Sequence, residues 1–223
     1  MEWSGGSFLD RLAEPVREEL LRLGATRTLP PGKRIFRQGG TDDHVEVIRR
    51  GFVKVTVADG HPERLVAVRL PGDIVGEFAA ISGADRSATV TACGEVVSTV
   101  VSGREFRAFL ARRPEAAAEL TVEVGKRLRW SNVRRADFTT HPVDVRLARV
   151  LADLAEWAGV PARGGGVLIG VELSQPELAE LIGAAEDSVQ KALRTLRTAG
   201  LVRTGYRRVS VLDIERLRSH PGA

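Results

Sequence analysis

With 223 residues, of which 43% are hydrophobic and 28% charged, the chain suits one large or two modest folded domains and excludes a disordered protein. No apolar run is long enough to cross a bilayer, and Met1–Gly6 carries neither a basic n-region nor an h-region, so a soluble, cytoplasmic protein without a membrane partner is expected. Lysine and arginine outnumber aspartate and glutamate by 33 to 29, a net charge of +4 that fits a polyanionic partner. From about Gly32 to Gly103 the pattern is one of short strands separated by glycines. Val53, Val55 and Val57 alternate with Lys54 and Thr56, and Leu65–Leu70, Ala88–Ala92 and Val96–Val101 are further Val- and Thr-rich runs. Evenly spaced short strands predict a barrel or double-sheet roll. Cys93, the single cysteine, lies in one of these runs and reads as a small core residue. His44, His61, His141 and His220 are scattered without metal-ligand spacing, so no metal is expected.

Within this region, Val75–Ala92 places a carboxylate, Glu77, a short loop ahead of a fixed cation and a hydroxyl, Arg86 and Ser87. Such a set suits a ligand with two kinds of polar edge, an anion for Arg and hydroxyl donors and an O–H that donates to a carboxylate. Gly76, Glu77, Phe78 and Ala79 read as one helical turn whose free N–H groups favour an anion. Arg86 is the only fixed side-chain cation the motif sets opposite that anion. The stretch resembles the phosphate-binding cassette of cyclic-nucleotide-binding domains. That resemblance implies Glu77 on a ribose hydroxyl, Arg86 on the phosphate, Ser87 beside it, and cyclic AMP as an allosteric ligand.

Glu105 to Phe138 predicts a long helix broken near Pro114. Ala117, Thr121, Val124, Leu128, Ser131, Arg135 and Phe138 form a heptad seam interrupted by polar residues. The seam fits either a helix packed on its own barrel or a parallel dimer helix whose polar positions face a ligand, and the dimer is the expectation. The resemblance further implies a hydroxyl-bearing pair touching the nucleotide base, which ungapped alignment places at Ser131 and Asn132. Thr139-Thr140-His141-Pro142 then predicts a break and hinge. Val145–Trp157 returns to helical spacing, and Pro161–Gly166 reads as a loop before the strand-like Val167–Val171.

Ser174-Gln175-Pro176-Glu177 is a capping box. The helix it opens ends at Gly183, and a second helix, with Val189, Leu193 and Leu196 on its apolar face, ends at Gly200. This is a helix-turn-helix, and Leu201–Val211 reads as a hairpin wing. Between Ser188 and Leu212 six basic residues (Lys191, Arg194, Arg197, Arg203, Arg207, Arg208) occur without an acid, which places them against a phosphate backbone rather than against neighbouring carboxylates. Candidate DNA-contacting residues are Ser174, Glu186, Asp187, Ser188, Gln190, Lys191, Arg194, Arg207 and Arg208.

The order of barrel, long helix, hinge and winged helix resembles the cyclic-AMP receptor protein/FNR (Crp/Fnr) family of bacterial transcription regulators, from about Phe8 to Leu217. The family implies an α+β chain with a jelly-roll, double-stranded β-helix barrel. The expected divisions are a sensor domain (1–108), a dimerisation helix (109–138), a hinge (139–143) and a winged helix-turn-helix (144–223). Its expected partners are double-stranded DNA with an inverted-repeat operator and a second copy of the chain, with RNA polymerase a further candidate. Two departures stand out. The second helix opens Ala185-Glu186-Asp187-Ser188 where the nucleotide-responsive archetype has Ser-Arg-Glu-Thr, so Glu186 replaces a guanine-reading arginine. The cluster-holding cysteines of the FNR branch are also missing. The alternatives are a regulator of the same fold that is constitutive or tuned to another small anion, and a nucleotide-sensing regulatory subunit that does not bind DNA. No clustered nucleophile and base or Walker motif appears, so an enzyme is not expected.

Overall fold

The alternating valines fall where they were expected, in a long antiparallel strand, but that strand does more than the pattern indicates. The computed structural model describes residues 3–58, 60, 63–162 and 164–221, so His61 and Arg163 lie outside the described residues. The chain divides into two compact units, 1–127 and 128–223. The first unit contains α1 (Phe8–Arg11), α2 (Glu14–Arg22), β1 (Ala25–Leu29), β2 (Arg34–Phe36), β3 (Val45–Val57), β4 (Arg64–Arg69), β5 (Ile74–Val75), α3 (Glu77–Ser82), β6 (Thr89–Val101), α4 (Gly103–Arg112) and the start of α5 (Pro114–Thr140).

The runs Ala88–Ala92 and Val96–Val101, which the sequence separates at Gly94, form one 13-residue strand, β6, paired with an equally long β3. Their register jumps between Arg50↔Val97 and Phe52↔Cys93, and the two halves take different neighbours. One half of the β3–β6 pair adds β1 and β5, the other adds β2 and β4. A single pair of bent strands thus serves both faces of the roll, a bulge supplying the bend. Phe36, Ile48, Val53, Val75, Val90 and Val96 fill the roll's interior. A second core joins α1, α2 and α4 to the base of the roll through Phe8, Leu20, Val47, Ile74, Phe106 and Phe109. Full burial of one such side chain stabilises by roughly 1.5–3 kcal/mol. Cys93 is only half-buried, at the bend rather than in the core.

The break expected near Pro114 separates α4 from α5, with Pro114 in the first turn where its missing N–H costs nothing. Helix α5 runs on through Thr139 and Thr140 and stops at His141–Pro142. Val124, Leu128 and Phe138 of its seam are exposed, as are Val122 and Val133.

The second unit holds the remainder of α5, then α6 (Val143–Ala158), β7 (Gly159–Pro161), β8 (Val167–Ile169), α7 (Gln175–Ile182), α8 (Glu186–Thr198), β9 (Val202–Gly205), β10 (Arg208–Val211) and α9 (Ile214–Arg218). Helix α6 is buried along Val145, Leu147, Leu151 and Leu154 and packs against α7, α8 and α9. The strands form a sheet in the order β7-β8-β10-β9, whose β9–β10 hairpin is the expected wing. Gly183, at φ +61° in the α7–α8 turn, sits against the Phe138 ring: a Cβ there would lie 2.9 Å from it. The residue is therefore glycine for both backbone and packing reasons. Among the described residues no helix is long and apolar enough to cross a membrane.

Candidate functional site

A pocket in the first unit is lined by Gly76, Glu77, Phe78, Ala79, Arg86 and Ser87, with Phe36, Val55, Arg69, Val75, Ala88, Val90 and Arg127. The cassette residues expected from sequence are thus brought together. Gly76 holds φ +83° at the start of α3, and a Cβ there would come within 2.9 Å of the His44 carbonyl and 2.8 Å of the Phe36 ring. The first intrahelical bond runs from the Ala80 N–H to the Gly76 carbonyl (3.2 Å), leaving the N–H groups of Glu77, Phe78 and Ala79 ahead of the ladder.

Arg86 is fixed at both backbone and side chain. Its N–H donates to the Gly40 carbonyl and its own carbonyl accepts from the Gly39 N–H, both at 2.8 Å. The guanidinium is 2% exposed and donates to Asp42 Oδ2 (2.6 and 3.1 Å), the His44 carbonyl (2.6 Å) and the Gly76 carbonyl (2.9 Å). It also stacks on Phe36, 3.7 Å from the ring centroid. Burial pushes the Asp42 carboxyl up, but the hydrogen bonds and charge of Arg86 outweigh it and hold the group below its ordinary value. Arg86 therefore already has an internal carboxylate partner.

Arg86 is also not the only fixed cation, and here the expectation from sequence is corrected. Arg127 of α5 reaches into the pocket and donates to Glu77 Oε1 (2.7 Å), Glu123 Oε1 (2.9 Å) and the Ile74 carbonyl (2.8 Å). Arg69, the last residue of β4, lines the same pocket. Sequence reading missed both: Arg127 lies 50 residues beyond Glu77 and only the fold brings it in, while Arg69, just ahead of the cassette, ends a strand and carries no motif of its own. Glu77 is half-buried and oriented by Arg127, so its second oxygen can accept from a ligand hydroxyl. Ser131 and Asn132 are exposed on α5 and are not among the pocket's lining residues.

Arg127 and Glu123 give the site a pH signature. Burial pushes the Glu123 carboxyl up, while Arg127 and then Arg11 outweigh it through charge and hydrogen bonds, leaving it below its ordinary value of 4.5. A carboxylate whose folded pKa is depressed contributes stability that is complete above its unfolded value and lost as pH falls through the folded one. The thermal unfolding midpoint of the wild type should therefore drop from pH 6 towards pH 3. Glu123→Gln should start lower at pH 6 and lose less over the same interval. Parallel losses in the two proteins, followed by circular dichroism, would remove Glu123 from the account.

In the second unit the capping box is closed as expected: Ser174 Oγ accepts from the Glu177 N–H (3.4 Å) and Glu177 Oε2 from the Ser174 N–H (2.8 Å). Helix α8 buries Val189, Ala192, Leu193 and Leu196 and exposes Glu186, Asp187, Gln190, Lys191, Arg194 and Arg197, with Ser188 half-buried. Ala185 occupies the N-cap without a side-chain bond. No acid lies within ion-pair distance of Lys191, Arg194 or Arg197 among the described residues, so this face suits a polyanionic backbone. The wing departs from expectation. Arg207, at φ +54°, lies 3.7 Å from Glu177, and Arg208 lies 3.4 Å from Glu172. Two of the six basic residues are thus offset by acids that the Ser188–Leu212 window does not contain.

Comparison with known proteins bears on both units. Residues 26–113 match the cyclic nucleotide-binding domain family, and residues 145–220 match the Crp-like helix-turn-helix domain family. A CRP-like cAMP-activated global transcriptional regulator of Mycobacterium tuberculosis is 32% identical over 190 residues, covering 84% of each chain. A CRP-family transcriptional regulator of Thermus thermophilus superposes with a TM-score of 0.70 at 27% identity, covering 88% of this chain and 97% of that one. The c-di-GMP responsive global regulator CLP of Xanthomonas campestris shares the fold, with a TM-score of 0.75 at 20% identity over 90% of this chain and all of that one.

Proposed function

The chain belongs to the Crp/Fnr family of DNA-binding transcription regulators with a cyclic nucleotide-binding domain, which are not enzymes, and from that premise we propose that it is a cytoplasmic homodimer controlled by cyclic AMP. The observation that carries the ligand reading is the convergence of the α3 N-terminus, Arg86, Ser87 and Glu77 on one pocket, donors for a phosphate at one side and a carboxylate for a ribose hydroxyl at the other. The homodimer is supported by the exposed apolar positions Val124, Leu128 and Phe138 on a seven-residue repeat. A parallel pair would bring Ser131 and Asn132 of each copy to the seam, where they would touch the nucleotide base. The dimer would bind an inverted-repeat operator through two copies of α8 in successive major grooves, with RNA polymerase as a further partner. We divide the chain accordingly into sensor (1–108), dimerisation helix (109–138), hinge (139–143) and DNA-binding domain (144–223). The cAMP-activated relative from M. tuberculosis supports cyclic AMP as effector. The c-di-GMP responsive neighbour and the cation content of the pocket favour a second reading, a different anionic nucleotide.

Fluorescence anisotropy on an operator-containing duplex, with and without cyclic AMP, tests the proposal. Ligand should tighten DNA binding, allosteric coupling being typically about 1–3 kcal/mol. Changing Ser131 and Asn132 together to Ala should leave the sedimentation behaviour of a dimer intact and collapse that ligand effect to less than about twofold. An undiminished effect in the double variant would show that the signal does not pass through these side chains.

A further inference from the structure

Three guanidinium groups line the pocket, and they are not equivalent. Arg86 is held by Asp42, and Arg127 by Glu77 and Glu123. Arg69 has no carboxylate within ion-pair distance among the described residues; its Nη1 donates to the neighbouring Val68 carbonyl (3.1 Å). Burial, and then the charge of Arg127, pull its pKa down to about 10, and Asp73, Glu77 and Glu123 only partly oppose them. A partly buried cation with no carboxylate in direct contact is costly, and the cost is relieved when a ligand supplies the anion. The cations also have different surroundings. Arg86 sits among Asp42, His44 and Phe36, whereas the charges that act on Arg69 are those of Arg127, Asp73, Glu77 and Glu123.

A cyclic mononucleotide carries one negative charge, which the α3 N-terminus, Arg86 and Ser87 would take. Arg69 would then remain without a contacting anion. We propose that Arg69 is the receptor for a second anionic group, so that the pocket is built for a nucleotide bearing two phosphates. The proposal rests on the pocket being a cyclic-nucleotide site, and it changes which nucleotide that site prefers. Sequence position does not reveal it: Arg69 closes a strand that Arg64 opens and Leu65, Val66, Ala67 and Val68 fill, and it reads as an edge residue.

The test is calorimetry with cyclic AMP, cyclic GMP and a cyclic purine dinucleotide, on the wild type, Arg69→Leu and Arg69→Lys, at two salt concentrations. The dinucleotide should bind the wild type about tenfold or more tighter than cyclic AMP, since the added contact is charge-assisted. In Arg69→Leu the loss for the dinucleotide should exceed the loss for cyclic AMP by about tenfold, and Arg69→Lys should restore part of it. Equal losses for both ligands, or a dinucleotide no tighter than cyclic AMP, would overturn the proposal. So would a cyclic GMP preference that vanishes in Arg69→Leu, because arginine would then be reading guanine O6 and N7 rather than an anion. If the dinucleotide binds in an Arg69-dependent way and cyclic AMP does not bind, this proposal stands and cyclic AMP as effector falls. If cyclic AMP binds with Arg69 indifferent to every ligand, the reverse holds; if no nucleotide binds, both fall.

Discussion

Arg86→Ala is expected to weaken cyclic-nucleotide binding by about 30-fold or more, roughly the 2 kcal/mol at the low end of what truncating one partner of a buried charge pair costs. The side chain is 2% exposed and makes four hydrogen bonds, so its guanidinium is held in place before any ligand binds. The alanine variant loses the cation and also strands Asp42, whose half-exposed carboxylate then repels the phosphate. Arg86→Lys, which keeps the charge but not the fork, should fall between the two. Asp42→Asn should act in the opposite direction. Its carboxylate occupies the guanidinium in the free protein, and removing it should tighten nucleotide binding by about twofold to fivefold, the worth of a partly exposed ion pair. Calorimetry on the three variants decides the matter. Wild-type affinity in Arg86→Ala would sink the site assignment, and weaker binding in Asp42→Asn would show that Asp42 orients Arg86 rather than competing with the ligand.

The pairing of Arg86 with Asp42 marks where reading from sequence stops. Features whose partners lie within a few residues were legible: the Ser174–Glu177 capping box, the Gly76 start of α3, and the glycine that ends α7. Their geometry is set by local backbone rules that do not depend on the rest of the fold. The two-sheet roll was legible as a class, because period-two alternation survives whichever strand is the neighbour. The fusion of two strand runs into β6 was not, since it depends on a register jump against β3 that neither strand encodes alone. The charge map of the pocket was beyond reach for the same reason. Asp42 is 44 residues from Arg86 and Arg127 is 50 from Glu77, and each pairing exists only because the roll closes. On the wing, the same limitation hid Glu177 and Glu172 from the basic run they offset.

Helix α8 carries the remaining large effect. Glu186 and Asp187 are exposed in its first turn and have no ion-pair partner among the described residues, so neither is occupied by a neighbouring arginine. With Ala185 giving no side-chain cap, their charges stabilise the helix N-terminus, by about 0.3–1 kcal/mol each. The same position puts them where the N-terminal residues of a recognition helix meet base edges. A carboxylate there accepts from cytosine N4, whereas arginine donates to guanine O6 and N7. Glu186→Arg should therefore shift the preferred operator toward guanine at one position of each half-site, by about 1–3 kcal/mol of discrimination. It should also lower the unfolding midpoint slightly, through the lost dipole interaction. Lys191→Gln and Arg194→Gln should behave differently, reducing the salt dependence of binding by roughly one unit per phosphate contact while leaving the preferred sequence unchanged. Selecting sites from a random pool with wild type and Glu186→Arg in parallel separates these roles. A guanine gained only by the variant assigns Glu186 to base readout. Identical motifs, with the midpoint still lowered, would confine this carboxylate to capping its helix and place operator choice further along the α8 face, at Gln190, Lys191 and Arg194.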